Sequence, residues 1–177
     1  MHMTFMDRRL IKSCFVGVLF VTSILLTGCA LLKGVMSSPT PGTTPVFNQM
    51  RSQAIEFERA DGSHLRVTAK IADDEAKQEA GFQNISPALI HVNFILFVFA
   101  EPLHALFHMH NVQAPLDIAF IASDGSLMNI QTMEVGPILY GPDEPFQYAL
   151  EARSGFFAVN NLIAKMSKLV ISSLNQK

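Results

Sequence analysis

Apolar and polar positions alternate most cleanly between residues 65 and 71. Leu65, Val67, Ala69 and Ile71 are separated by Arg66, Thr68 and Lys70, the period of a strand with one face in a core and the other in solvent. Ile55-Glu56-Phe57-Glu58 alternates in the same way, and Asp61-Gly62 between the two segments is a hairpin signal. Residues 94–99 form a continuous apolar run, the pattern of a strand covered on both faces, closed by Glu101-Pro102. Further strands are predicted over 106–110, 116–121, 127–133, 146–152 and 168–173, with Asp124-Gly125 as a second hairpin turn. One helix stands out, over residues 74–80. Asp73 and Asp74 offer capping oxygens, Glu75 suits the positive end of the helix dipole, and Gly81 can follow the last turn. Two turns cannot stand alone, so this helix must dock, through Ala76 and Ala80. Residues 155–162 are open between a short helix and a loop. The sum is a mainly β domain, a compact sandwich or barrel-like fold with one short helix.

The first thirty residues follow a different pattern. Arg8, Arg9 and Lys12 precede an apolar run over residues 15–26, which is short for a bilayer span but has the length of a signal-peptide core. Leu26-Thr27-Gly28-Cys29 follows directly and resembles the lipobox of bacterial lipoproteins. The resemblance implies removal of residues 1–28 and lipidation of Cys29, whose thiolate is the reactive form. An uncleaved N-terminal anchor is the alternative, and both readings tether the domain to a membrane. Ala30 after the cysteine implies sorting to the outer membrane, facing the periplasm, in a two-membrane cell. Residues 29–50 then read as a flexible tether rich in Ser, Thr, Pro and Gly, and the folded domain as 51–177.

Composition sharpens this division. The whole chain has 177 residues, of which 49% are apolar and only 16% charged, with a net charge of −2. That balance argues against nucleic acid as a partner, which calls for a basic surface. The leader removes three positive charges and one negative, so the mature net charge is −4. Cys14 leaves with the leader and Cys29 is consumed by lipid, so no pair remains for an intramolecular disulfide. The chain carries no Gly-x-Ser-x-Gly, no P-loop, no dinucleotide glycine motif and no His-Glu-x-x-His.

Residues 72–155 resemble the DUF192 family, a domain of unknown function. Family members show a short helix ending in Gly-Leu-Met, an apolar Leu-Phe-Val-Phe strand, and a Phe-Trp-Met-Lys-Asn segment. Pro-Leu-Asp-Ile, a Phe-Ile turn ending in Gly, and Tyr-x-Leu-Glu follow. Here the counterparts are Gly81-Phe82-Gln83, Leu96-Phe97-Val98-Phe99, Phe107-His108-Met109-His110-Asn111, Pro115-Leu116-Asp117-Ile118, Phe120-Ile121 with Gly125, and Tyr148-Ala149-Leu150-Glu151. The resemblance implies a compact β-rich fold and no established reaction. This chain departs from it where the family's Trp is His108 and its Lys is His110.

These residues define the candidate chemistry. On an unbroken strand His108 and His110 point the same way with Cα atoms about 6.6–6.8 Å apart. They could then share Cu or Zn, with Glu101, Asp117 or Glu151 as a third ligand and Met109 facing away. The contrary reading makes both histidines plain surface groups, with no cofactor. Asn111, Asp117 and Glu151 are the polar residues kept from the family pattern. Asp117, between Leu116 and Ile118, either accepts backbone hydrogen bonds or, with Glu151, forms an acid–base pair. The expectation that heads these alternatives is a non-enzymatic, membrane-tethered domain. It binds an envelope ligand or protein through the face from His108 to Asp117.

Overall fold

The computed structural model describes residues 42–175; the leader, Cys29 and most of the expected tether lie outside them. Nine strands form in the order β1 (Ser52–Glu58), β2 (His64–Ala72), β3 (Ile95–Leu103), β4 (Phe107–His108), β5 (Leu116–Ile121), β6 (Leu127–Met133), β7 (Leu139–Tyr140), β8 (Phe146–Arg153) and β9 (Lys168–Leu169). Four short helices accompany them, α1 (Pro45–Gln49), α2 (Glu75–Ala80), α3 (Pro87–Val92) and α4 (Phe156–Val159), and a 3-10 turn covers Ile171–Asn175. Seven strands make one sheet in the order β6-β5-β8-β3-β2-β1-β9, and β4 pairs with β7 in a separate ribbon. All the pairings are antiparallel except β2 with β3.

The two ends of the large sheet meet. Ser126 bridges Lys168, the Leu127 amide donates to the Ser167 carbonyl at 3.0 Å, and the Leu169 amide donates to the Gly125 carbonyl at 2.8 Å. The sheet is therefore rolled into a nearly closed barrel, which removes the unpaired edges that an open sheet would present. Phe57, Ile71, Leu96, Ala119, Leu150 and Leu169 fill its interior, each at most 1% exposed. A second core lies on the outer face of β3, β5 and β8, where Ile95, Phe120 and Phe146 pack against Phe47 of α1, Phe82 after α2 and Ile90 of α3. The alternation that defines the strands thus serves two apolar layers, one inside the barrel and one under the helices.

Three expectations need correction. The tether does not extend to residue 50: Thr44 Oγ1 accepts the Phe47 amide at 3.2 Å, Pro45 opens α1, and Phe47 and Met50 are buried. Composition reads Thr44-Pro45 as linker, but Thr followed by Pro is also a helix start. Ser86-Pro87 starts α3 in the same way, so the single expected helix becomes four. Finally, α2 occupies its predicted place with Asp74 as its cap, but Ala76 is exposed. Ala80 packs against the core as expected, and Gln78 takes the other part of the docking, its amide donating to the Val98 carbonyl at 2.9 Å and the Ala72 carbonyl at 3.5 Å.

Candidate functional site

Strand register decides which candidate residues can meet. Asp117 on β5 stands opposite Ala152 of β8, and Glu151 stands opposite Ile118. Successive side chains on a strand point to opposite faces, so Asp117 and Glu151 lie on opposite sides of the sheet. The acid–base pair is not formed. Asp117 is buried, and its carboxylate is occupied: Thr132 Oγ1 donates to Oδ1 at 2.9 Å and the Gly155 amide donates to Oδ2 at 2.8 Å. It ties β6 and the start of α4 to β5, a structural role in which one of its two donors is a backbone N–H, that of Gly155.

Glu151 is different. It is 5% exposed, and its Oε2 is buried with no hydrogen-bond partner among the described residues. Burial pushes its carboxyl pKa up to about 8, because the charged form loses its water and gains no compensating donor. At neutral pH the group is therefore mostly a protonated acid, able to donate one hydrogen bond.

The carboxyl belongs to the lining of a pocket of about 240 Å³, between the end of α2 and the outer face of β3 and β8. Phe97, Phe99 and Phe107 supply aromatic walls, Ala80 and Leu106 add apolar surface, and His108 stands at one side. Phe97 and Phe107 meet edge to face with ring centroids 5.0 Å apart. Gly81 separates the helix from the carboxyl: a side-chain carbon there would sit 3.6 Å from Glu151 Oε2 and 3.5 Å from Phe97 Cζ. Its φ of 43° with ψ of −134° is a conformation that glycine adopts without strain. The chain thus turns over the acid without covering it by a side chain.

The other candidates cluster nearby. His108 also borders a wider depression of about 660 Å³, lined by Met109, His110, Asn111, Val135 and Pro137 among others. β4 ends at His108, and His110 and Asn111 form a turn, so the continuous strand that would align the two imidazoles is not present. Their ring centroids are 6.1 Å apart, and His108 Nδ1 accepts the His110 amide at 3.3 Å. Among the described residues no group of three or more His, Cys, Asp or Glu side chains is placed to hold a metal ion. His104 lies in the loop between β3 and β4, and Glu101 is exposed on β3. Asn111 has φ of 58° and its carbonyl accepts the Asn84 amide at 2.9 Å. Its retained identity is accounted for by the left-handed turn, which Asn tolerates better than most residues.

The pocket walls were missed in the sequence, since Gly81, Phe97 and Phe107 read there as a helix end and as core strand residues. The available signal was Gly81 beside a buried-strand glutamate, and it becomes visible only once β3 is known to pair with β8.

Comparison with known proteins agrees with this fold. A crystal structure from Novosphingobium aromaticivorans DSM 12444, of a protein of unknown function, superposes with a TM-score of 0.62. It is 23% identical and covers 73% of this chain and 91% of its own. A Sinorhizobium meliloti 1021 protein, provisionally described as a transcription regulator, is 25% identical with a TM-score of 0.60. That match covers 68% of this chain and 93% of the other. No curated protein matches significantly. The DUF192 family, described as an uncharacterized ACR, matches residues 56–167. That span is well over half of the chain and includes every strand from β2 to β8, so the protein belongs to the DUF192 family.

Proposed function

We propose that this is a lipid-anchored envelope protein whose barrel domain binds a small ligand in the pocket at Glu151 without transforming it. The observation that carries the reading is the unpartnered Oε2 of a buried acid in an aromatic-walled pocket. A buried polar atom without a partner costs about 1–3 kcal/mol, and a ligand that supplies the missing hydrogen bond recovers it. A concave apolar site with one converging polar group is the usual form of a small-molecule site. At about 240 Å³ the space equals roughly eight waters of liquid volume, which limits the ligand to a small molecule. The membrane tether rests on the leader and on Cys29, with the protein on the outer membrane facing the periplasm. Among the described residues no helix is long and apolar enough to cross a membrane.

Two experiments test the two halves. Saturation-transfer NMR on the full chain in detergent, against fragments of about ten heavy atoms, is expected to find binders that Ala80→Leu removes, since Ala80 lines the pocket. Binders unaffected by Ala80→Leu, in a variant with an unchanged melting curve, would place the ligand elsewhere. Cys29→Ser is expected to abolish incorporation of radiolabelled palmitate and to release the protein from the membrane fraction once the leader is cut. Retention of palmitate labelling in Cys29→Ser would contradict the lipid anchor.

A further inference from the structure

Resting on the pocket reading above, we infer that the ligand is a small organic ammonium ion, with Glu151 as its counter-charge and Phe97 and Phe107 as the aromatic faces around it. The acidic side chains that line the pocket are Glu79 and Glu151, and none of its lining residues is Lys or Arg. An anion entering this space would meet two acids and no cation. Aromatic faces attract cations through the ring quadrupole, the more strongly when water is excluded. Gly81 leaves Glu151 Oε2 uncovered by a side chain on the α2 side, and the Gln78 amide is committed to the Val98 and Ala72 carbonyls. Oε2 is thus a buried, unsatisfied acceptor of a residue that lines the pocket, and an ammonium N–H is the donor that suits the carboxylate once it is charged.

The proton balance is simple. Free Glu151 carries a proton at neutral pH, since its pKa is about 8. When a protonated amine enters, the carboxylic acid releases that proton to solvent and the ammonium takes its place beside the carboxylate. One proton leaves for each cation bound. Affinity therefore rises with pH, close to tenfold per unit between about pH 5 and 7 for an amine that stays protonated. The other titratable groups facing the pocket are Glu79 of α2 and His108 of β4. The Glu151→Gln variant separates the contribution of Glu151 from theirs.

The test is isothermal titration of the full chain in detergent with benzylammonium, benzyl alcohol and benzoate, which share one ring and differ in charge. At pH 7.5 benzylammonium is expected to bind at least tenfold more tightly than the other two. The heat should change with the ionisation enthalpy of the buffer, since most of one proton is released at that pH. Glu151→Gln is expected to lose at least tenfold for benzylammonium and little for benzyl alcohol. Phe107→Leu is expected to weaken the cation about threefold or more while leaving the alcohol nearly unchanged. Benzyl alcohol binding as tightly as benzylammonium would overturn the ammonium assignment and leave the pocket reading standing. Failure of all three to bind would also overturn it, with the fragment screen and Ala80→Leu judging the pocket independently.

Discussion

Replacing Glu151 by Gln is expected to flatten the fall in stability that the native protein shows between pH 5 and 8. The folded carboxyl holds its proton up to about pH 8, whereas the unfolded one releases it near the ordinary value of 4.5. Between those values the native state binds more protons than the unfolded state, so stability falls as pH rises through the window. The contribution is fully present below about pH 4.5 and is lost as the pH passes 8. One pKa unit corresponds to about 1.4 kcal/mol, so the loss between pH 5 and 8 is on the order of 4 kcal/mol. Glutamine has the same shape and no charge, so its stability carries none of this slope. Urea unfolding of both proteins across that range measures the difference, which should grow with pH in favour of Glu151→Gln. A difference that stays constant would mean that Glu151 is paired and ordinary. The direction is unusual, because removing an acid from a family motif would make the protein more stable at and above neutrality.

The second large effect belongs to barrel closure. Gly125 has φ of 87° and its carbonyl accepts the Leu169 amide. A side-chain carbon on Gly125 would be driven into the Leu169 carbonyl oxygen, well inside contact distance, and close to Ile171. Gly125→Ala therefore combines a backbone conformation that disfavours a side chain with a collision against main chain that cannot swing away. The expected cost is about 3 kcal/mol, visible as a lower urea midpoint. Hydrogen exchange should accelerate at Leu127 and Leu169, whose amides hold β9 against β6. Gly62 offers the contrast, because its φ is also positive but no atom stands within 4 Å of a side-chain carbon there. Gly62→Ala should carry only the conformational cost, and an equal loss in both variants would discount the closure contact.

The strands were legible because their patterns extend over six or more residues, alternating from Leu65 to Ile71 and nearly continuously apolar from Leu116 to Ile121. Among the short helices only α2 was legible, through its Asp74 cap and Gly81 stop; α1 and α3, with five and six residues, are too short for a helical period to emerge and lack acidic capping residues. Their signal was confined to Thr44-Pro45 and Ser86-Pro87, which composition alone assigns to loops. The polar members of the site were legible through the family resemblance, which singled out Glu151 and His108. What joined them to a pocket was not: Glu151 meets Gly81, Phe97 and Phe107 through pairings of β8 with β3 and of helix with sheet that leave no local trace. Asp117 shows the sensitivity of such inference to register. It lies one position out of phase with Glu151 across β5 and β8, and that offset turns a plausible catalytic pair into one structural tie and one buried, unpartnered acid.

The carbon-13 titration of the Glu151 carboxyl, assigned by its absence in Glu151→Gln, tests the central claim most directly. An unpaired buried acid gives a midpoint near pH 8, and addition of benzylammonium should move that midpoint downward as the cation favours the charged form. A midpoint near 4.5, unmoved by the amine, would show that Glu151 is already paired or solvated, and the pocket would lose the group around which its function is proposed.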